Sequence, residues 1–482
     1  MVSGQTLVEV KQSAYQDAAA MLDAMVGFLG KNAMTAYLCM MGVRLIELHR
    51  MLKPTGSLYL HCDPTASNYP KILLDAIFGA RCFQNEIDWK RTTTHSDART
   101  WSSNADCILF YTKMQKGFTW NVPREALSDS HVKSKYRHDD ADGRGPYRLD
   151  NMTSPSPRPN MMYEWKGYSY PANGWRYSLD TMARLDAEGR IWYPTNSDGE
   201  FDLRKRLQLK RYLSEMEGGV VGDIWTDIPP LNSQAQERLG YPTQKPVALL
   251  ERILQAPSNE GDVVLDPFCG CGTTVHAAQK LNRQWIGIDV THIAVSLIEA
   301  RLFDAFGADA QFTVHGTLKD IGGAQDFFDR DDRTKKEFEK WAVALIKAYP
   351  QGRGKKGADG GLDGLFWFGQ NKDHKAVVSV KGGKNVGVGM VRDLDAVVTA
   401  QKAAIGVLLT LTPPTKPMLD WAAQAGTFDV DGFGTVQRLQ IVTIEEALKR
   451  KDAAVDTRIR HADTYKAAPK EKKADGQAAF DL

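Results

Sequence analysis

The stretch that decides the fold runs from Asp262 to Asp289 and opens Asp262-Val-Val-Leu-Asp266-Pro-Phe268-Cys-Gly270-Cys-Gly272-Thr273. Its apolar run, its glycines and the closing Trp285-Ile-Gly-Ile-Asp289 predict a strand, a tight turn, a helix and a second strand that ends in an acid. Gly270 and Gly272 let the backbone approach a ligand closely, and Thr273 can cap the new helix. This order of elements predicts a parallel α/β unit.

The two acids of this stretch indicate the chemistry of the ligand. Asp289 ends the second strand, where a carboxylate can accept hydrogen bonds from two ribose hydroxyls. The pattern departs from the dinucleotide fingerprint G-x-G-x-x-G, because Val275 occupies the third glycine position. An acid ahead of the glycines suits a ligand with a positive centre, and S-adenosylmethionine carries a sulfonium and an amino group. The alternative is an ordinary tight β-α turn, which a G-x-G alone would leave open.

Residues 243–292, with T-Q-K-P-V-A-L-L-E-R-I-L ahead of D-P-F-C-G-C-G-T-T and I-G-I-D, resemble the DNA amino-methyltransferases of the β order. These enzymes methylate N6 of adenine or N4 of cytosine. The upstream runs L-H-R-M-L-K-P-T-G-S-L-Y-L-H-C-D, N-E-I-D-W-K-R and D-C-I-L-F-Y-T-K resemble strands of the same family, so the likeness covers about residues 30–315.

The resemblance implies a Rossmann-like S-adenosylmethionine-dependent methyltransferase sheet and double-stranded DNA as the partner. It implies methyl transfer to an exocyclic amino group in a system of the restriction–modification type. The segment Thr243-Gln-Lys-Pro246 would close over the methionine end of the cofactor. The cofactor-binding residues that it implies are Thr243, Lys245, Pro246, Asp266, Phe268, Gly270, Gly272, Thr273 and Asp289.

The family's catalytic tetrapeptide, Asp/Asn/Ser-Pro-Pro-Tyr/Phe/Trp, is not found in this sequence. In the β order it should precede the helix that ends at Arg50. Asp63-Pro-Thr-Ala66 lacks the second proline and the aromatic residue, and Asp227-Ile-Pro-Pro-Leu231 has an intervening isoleucine and no aromatic residue. We therefore expect an N-terminally truncated methyltransferase with incomplete activity. A catalytically inactive protein that binds DNA is the alternative.

Residues 115–235 interleave tyrosines and tryptophans with arginines and are punctuated by Gly, Pro, Asn and Asp, which predicts a loop-rich insertion. In the β order this position holds the target-recognition region. Arginine can pair bidentately with guanine, and aromatic rings can fill the gap that an extruded base leaves. The alternative is that most of these rings pack a small irregular core.

The C-terminal block contains Gly-Ala-Asp359-Gly-Gly-Leu-Asp363-Gly and then Ala-Val-Val-Ser379-Val-Lys381. It resembles the restriction-endonuclease-like fold, in which acids bind Mg²⁺ and a lysine orients water. The likeness implies Asp363 as a metal ligand and catalytic candidate and Lys381 as the second catalytic candidate. Ser379 occupies the position of the second acid, and Glu337 or Glu339 could supply one instead. Mg²⁺-dependent DNA cleavage and DNA binding without cleavage both stay open.

Length and composition set the frame for these assignments. A chain of 482 residues predicts more than one domain, and we divide it into 1–114 and 236–320 (methyltransferase core), 115–235 (insertion), 336–450 (smaller α/β endonuclease-like domain) and 466–482 (disordered tail). Residues 320–335 read as a polar linker. The net charge of +2 neither requires nor excludes nucleic acid, so any basic surface must be local. Six cysteines and no membrane-length apolar run favour a cytoplasmic protein.

Overall fold

The computed structural model describes residues 8–92, 100–232, 234–241, 243–318, 320–330, 332–351, 362–371, 373–383, 385–459 and 468–471. The chain divides into two compact units, of which one is formed by Val122–Gly222. The other is formed by the described residues on either side, up to Asn121 and from Asp223 to Glu471. Within the described residues, no helix combines the length and the apolar character that a bilayer crossing needs.

The first part of the larger unit consists of three helices packed on an antiparallel sheet. Its elements are α1 (Gln16–Leu29), α2 (Ala33–Met51), β1 (Ser57–Cys62), α3 (Asn68–Phe78), β2 (Phe83–Lys90) and β3 (Ala105–Thr112). Strand β3 lies between β1 and β2 and is antiparallel to both. The side chains that join the helices to this sheet are buried and apolar: Leu22, Leu45, Leu73, Leu109 and Tyr111.

The smaller unit is built from short elements around an aromatic core. They are β4 (Arg124–Glu125), α4 (Asp129–Lys135), β5 (Tyr147–Asn151), α5 (Leu179–Ala187), β6 (Ile191–Trp192), β7 (Gln208–Tyr212) and β8 (Gly219–Val220). Strands β5, β7 and β6 form one antiparallel sheet, and β4 pairs with β8 where the chain enters and leaves the unit. The buried core is made by Met152, Tyr168, Trp175, Met182 and Leu209.

The chain then returns to the larger unit and forms the predicted α/β segment. Its elements are β9 (Ile224–Trp225), α6 (Val247–Gln255), β10 (Val263–Asp266), α7 (Thr273–Lys280), β11 (Gln284–Gly287) and α8 (His292–Phe306). Strand β9 pairs parallel to β2 and completes a four-stranded sheet in the order β1-β3-β2-β9. Strands β10 and β11 are parallel and form a separate two-stranded sheet, with Val264 opposite Trp285.

The sheet of β10 and β11 is more exposed than parallel sheets usually are. Parallel strands are normally covered on both faces. Here Val263, Ile286 and Ile288 are each at least half exposed, and Val290 is 95% exposed. In the described residues, the strands of this part of the chain thus form two separate sheets, β1-β3-β2-β9 and β10-β11.

The last part is a mixed sheet flanked by helices. Its elements are α9 (Ile321–Asp329), α10 (Asp332–Leu345), β12 (Tyr349–Pro350), β13 (Gly364–Phe368), β14 (His374–Lys381), α11 (Val388–Ala400), β15 (Ile405–Thr410), α12 (Lys416–Gln424), β16 (Thr427–Asp429), β17 (Thr435–Gln437), β18 (Leu439–Thr443) and α13 (Ile444–Arg450). The order is β12-β13-β14-β15-β18, with β14, β15 and β18 parallel. The prediction of an α/β fold with a second, smaller α/β domain is confirmed.

Two predictions about connecting segments need correction. Residues 321–329, which we predicted as linker, are helical: the Asp320 side chain accepts a hydrogen bond from the Gly323 amide, and Ala324 is buried in the endonuclease-like core. Residues 468–471 of the predicted disordered tail are ordered, because the Glu471 amide donates to the Ala305 carbonyl and Ala468 is buried. The remaining residues of that tail, 466–467 and 472–482, lie outside the described residues, as does Asp359.

Candidate functional site

The backbone of the glycine turn between β10 and α7 adopts a conformation that disfavours side chains at two positions, Gly270 and Gly272. Gly272 has φ of +73°, and a Cβ atom built on it would lie 2.6 Å from Cγ1 of Ile298. Gly270 has φ of +51°, and its Cβ would lie 3.3 Å from the ring of Tyr241. The positive φ favours glycine at both positions. At Gly272, the side chain of Ile298 also occupies the space that a Cβ atom would need. Tyr241 therefore lies directly over the turn.

The expectation that Thr273 caps α7 is wrong. The N-cap is Gly272, and no side chain caps the helix there. The Thr273 hydroxyl is buried and accepts a hydrogen bond from Nη1 of Arg301 at 3.1 Å. Thr273 thus faces the interior of the protein behind the turn.

Asp289 holds the turn from the neighbouring strand. Its Oδ2 accepts a hydrogen bond from the Gly270 amide at 3.1 Å, and its Oδ1 accepts from the amide and the hydroxyl of Thr291 at 2.8 and 2.7 Å. Asp266 accepts from the Phe268 amide at 3.0 Å, and the Phe268 ring is half exposed. The structure therefore brings Asp266, Gly270, Gly272 and Asp289 together at the carboxyl ends of β10 and β11.

The segment Thr243–Pro246 follows Tyr241 in the chain and contacts the four-stranded sheet through Lys245. Pro246 directly precedes α6, and Thr243 is exposed. The Gln244 side chain accepts from the Leu239 amide and donates to the Glu237 carbonyl. Lys245 extends to Asp106 at the start of β3, with Nζ 2.9 Å from Oδ2.

Asp106 is the centre of a polar cluster that the sequence did not reveal. Its carboxylate is buried, lies 2.7 Å from Nε2 of His61 and forms an ion pair with Arg91 at 3.1 Å. Burial would raise the pKa of Asp106, but the hydrogen bonds from His61 and Lys245 outweigh it and lower the pKa to about 2. The cluster therefore holds Lys245 against a carboxylate that is charged at neutral pH.

A second buried polar group lies behind the glycine turn. Arg301 is 2% exposed, and its guanidinium donates to the Cys271 carbonyl at 3.2 Å as well as to Thr273. Its Nε lies 3.3 Å from Nδ1 of His276, whose Nε2 lies 2.9 Å from Glu471. The sequence carried one weak signal for this group, since Arg301 is the one cation in the run Ile293–Leu302, in which the other polar residues are Ser296 and Glu299.

The endonuclease-like candidates meet at one end of β13 and β14. Asp363 directly precedes β13, and its Oδ2 accepts from the Val380 amide at 2.7 Å and from the Ser379 hydroxyl at 3.3 Å. Ser379 and Lys381 are two positions apart on β14 and therefore lie on the same face of the strand. Glu337 forms an ion pair with Lys340 at 2.7 Å. The structure thus brings Asp363, Ser379 and the end of β14 together.

The described residues do not complete a magnesium site at Asp363. Mg²⁺ prefers several oxygen ligands, with carboxylates foremost. Ser379 stands where a second acid would be needed, and it uses its hydroxyl to donate to Asp363. Among the described residues, the His/Cys/Asp/Glu group with ligand atoms within 4.8 Å of one another is Asp373, His374 and Asp431, where β14 begins rather than ends.

Comparison with known families assigns the two parts of the chain. The family described as DNA methylase (N6_N4_Mtase) matches residues 27–300. The family described as restriction endonuclease (Mrr_cat) matches residues 331–432.

Individual relatives are DNA methyltransferases that match part of the chain. The type II methyltransferase M.EcaI of Enterobacter cloacae is 33% identical over 270 residues, which are 55% of this chain and 57% of that protein. The type II methyltransferase M.HpaI of Haemophilus parainfluenzae is 26% identical over 262 residues, or 54% of this chain and 58% of that protein. The chain thus spans somewhat over half the length of these relatives. The structure of the M1.HpyAVI–SAM complex is 16% identical and covers 59% of this chain and 96% of its own, with a TM-score of 0.31.

Proposed function

Because the chain belongs to the family of DNA methylases, whose model matches more than half of its residues, we propose that it is a restriction–modification methyltransferase. It would transfer a methyl group from S-adenosylmethionine to N6 of adenine or N4 of cytosine in double-stranded DNA. The observation that carries the proposal is the glycine turn, which Asp289 holds from one side and the Tyr241 ring covers from the other.

The residues around the turn fit S-adenosylmethionine, which when bound supplies an electrophilic methyl group. Asp289 would accept the ribose hydroxyls at the end of β11, and Asp266 would face the positively charged methionine end. The half-exposed Phe268 offers an apolar ring beside them. Thr243, Lys245 and Pro246 would border the methionine end, with Lys245 held by Asp106.

DNA recognition is proposed for the smaller unit, Val122–Gly222. Several of its aromatic rings are committed to packing, since Tyr147, Tyr168, Trp175 and Tyr212 are buried. Tyr170 and Phe201 are about half exposed and remain available for stacking on bases. Exposed arginines on the same unit could contact phosphates: Arg137, Arg158, Arg176 and Arg206.

Binding of S-adenosylmethionine to the full chain, measured by calorimetry, tests the cofactor site. We expect binding by the unchanged chain and loss of binding in Asp266→Ala and Asp289→Ala. Glu260→Gln changes an exposed acid just ahead of β10 and should bind normally. Unchanged affinity in both alanine variants would remove the cofactor assignment.

Transfer of tritium from labelled S-adenosylmethionine to DNA separates an enzyme from an inactive DNA-binding protein. Incorporation by the purified chain would establish methyl transfer. Cofactor binding and DNA binding without incorporation would favour the inactive alternative.

DNA cleavage by the C-terminal part is a second candidate function. The match to restriction endonucleases and the meeting of Asp363 with the end of β14 favour it. Because the described residues do not complete a magnesium site, no cleavage step is derived. Nicking of plasmid DNA in the presence of Mg²⁺, abolished by Asp363→Ala and by Lys381→Ala but not by Lys375→Ala at the other end of β14, would establish the activity. An unchanged chain that leaves the plasmid intact would remove it.

A further inference from the structure

A line of three buried or half-buried polar side chains connects the glycine turn to the C-terminal strap, which we define as residues 468–471. Arg301 donates from Nη1 to the carbonyl oxygen of Cys271 inside the turn and from Nε toward Nδ1 of His276. Nε2 of His276 contacts Oε1 of Glu471 at 2.9 Å. Arg301 and His276 are each only 2% exposed, so this line crosses the protein interior.

The geometry allows one arrangement of protons along this line. Arginine has only donors, so Nδ1 of His276 must accept and carries no proton. Nε2 of the neutral ring then carries the proton and donates it to the Glu471 carboxylate. Burial and the neighbouring Arg301 charge lower the pKa of His276 to about 4, which agrees with a neutral ring near pH 7. Glu471 therefore fixes the tautomer that Arg301 requires.

The strap is anchored by its own backbone beside the helix that carries Arg301. The Glu471 amide donates to the Ala305 carbonyl at 2.9 Å, and the Ala468 amide donates to Asp304 at 3.2 Å. Glu471 also forms an ion pair with Lys280 at the end of α7. The strap follows the endonuclease-like part in the chain but binds the two helices, α7 and α8, that flank the glycine turn.

The buried guanidinium needs this support. A buried charge is costly unless it is hydrogen bonded and compensated by an opposite charge. The partners that Arg301 contacts directly are neutral: the Cys271 carbonyl, the Thr273 hydroxyl and the His276 ring. Two carboxylates supply negative charge nearby, Glu237 and, one side chain further along the line, Glu471. Loss of the Glu471 carboxylate would free the ring to turn and would loosen Arg301 at the turn.

We propose that Arg301 is a positioning residue for the cofactor turn and that Glu471, in the C-terminal strap, sets its position through His276. This rests on the proposed binding of S-adenosylmethionine at the turn. The segment that follows the endonuclease-like part would thereby control the affinity of the methyltransferase part for its cofactor.

The test is the dissociation constant of S-adenosylmethionine for the full chain, measured by calorimetry beside the unfolding temperature. Glu471→Leu removes the acceptor and should weaken binding about tenfold, the effect of losing one charge-assisted hydrogen bond. Glu471→Gln keeps an acceptor for Nε2 but removes the negative charge, so its affinity should lie between that of Glu471→Leu and that of the unchanged chain. Lys470→Gln, at an exposed lysine of the same strap, is the matched control and should not change the affinity.

Arg301→Lys tests the other end of the line, and we expect weaker binding because a lysine cannot serve Cys271, Thr273 and His276 in the same planar geometry. If this variant does not fold, Glu471→Leu still decides. A purely stabilising role would lower the unfolding temperature of Glu471→Leu without changing its dissociation constant, and that result would overturn the proposal. No binding by the unchanged chain would instead overturn the cofactor site itself and this proposal with it.

Discussion

Gly272 is excluded from carrying a side chain by its backbone and by its surroundings at the same time. Its φ of +73° lies in the left-handed region, and the space a Cβ would need is occupied by Ile298. Gly261, which precedes β10, has φ of +79° but no heavy atom within 4 Å of its would-be Cβ. A comparison of alanine variants at Gly272 and Gly261 therefore separates the cost of backbone strain from the cost of steric conflict.

We predict that Gly272→Ala lowers the free energy of unfolding by about 2–4 kcal/mol, the sum of left-handed strain and overpacking. Gly261→Ala should cost about 1 kcal/mol, because only the strain applies. Urea unfolding of both variants measures the difference. Equal losses would show that Ile298 yields to the added methyl group without cost.

The Asp106 carboxylate makes the free energy of unfolding depend on pH. Its pKa in the folded protein, about 2, lies below the ordinary value of 3.8, so its contribution is present above pH 4 and is lost as the pH falls toward 2. We predict that Asp106→Asn lowers the free energy of unfolding by on the order of 2 kcal/mol near neutrality and by less at pH 3.

Urea titrations at several pH values between 7 and 3 check the Asp106 prediction. Asp88→Asn, on an exposed position of β2, corrects for the loss of one negative charge from the same sheet. A difference between Asp106→Asn and the unchanged chain that does not depend on pH would contradict the assignment.

Whether a residue of the candidate site could be predicted from the sequence depends on how far away its partner lies along the chain. Asp266, Gly270 and Asp289 could be predicted because the strand, turn and strand that carry them are contiguous. Asp106 and Lys245 are 139 positions apart, and His276 and Glu471 are 195 apart. No local pattern joins such residues, so only the folded structure could pair them.

At the scale of elements, the junction between α1 and α2 shows how local chemistry ends one helix and starts the next. Gly30 ends α1 with φ of +73°. Asn32 then caps α2: its side chain accepts from the Thr35 amide, and the Thr35 hydroxyl accepts from the Asn32 amide. This reciprocal pair satisfies two amides that would otherwise lack partners.

We predict that Asn32→Ala lowers the free energy of unfolding by about 1 kcal/mol through loss of the cap. Lys31→Ala, at the exposed residue between Gly30 and Asn32, should have little effect. Chemical denaturation of the two variants compares them directly. A cost at Lys31 as large as that at Asn32 would indicate that the turn as a whole, rather than the cap, is responsible.

Regular elements were predictable where their signals were local and long enough. The predicted order of strand, turn, helix and strand between Asp262 and Asp289 is present, with strands at Val263–Asp266 and Gln284–Gly287 and the helix at Thr273–Lys280. The helix at 321–329 was missed because its charged exposed face resembles a linker, whereas Ala324 and the partly buried Phe327 and Phe328 lie on the core side. The two-residue strands of the smaller unit are too short to show any alternation.

At the scale of the whole molecule, the chain enters and leaves the smaller unit through adjacent strands. Arg124 lies opposite Val220 in the β4–β8 pair, and the Val221 amide donates to the Pro123 carbonyl. A short Gly-Ser linker in place of Val122–Gly222 can therefore join residues 121 and 223. Each unit has its own buried core, so we expect the larger unit to fold without the smaller one.

We predict that this deletion keeps the affinity for S-adenosylmethionine and lowers the affinity for double-stranded DNA at least tenfold. Calorimetry measures the first, and fluorescence anisotropy with a labelled duplex at fixed salt measures the second. Retention of full DNA affinity would place recognition outside Val122–Gly222.

The pairing of β9 with β2 places Trp225 opposite Trp89, although the whole of the smaller unit lies between these two residues in the sequence. In the unfolded chain, closing so long a loop costs entropy that grows only with the logarithm of its length. Extending a loop of roughly 35 residues to roughly 135 adds only about 1 kcal/mol. A unit of the size of Val122–Gly222 can therefore be exchanged for a longer or shorter one with little effect on the folding equilibrium of the four-stranded sheet. Because DNA recognition is proposed for this unit, its exchange would change sequence specificity and leave the fold that carries it unchanged.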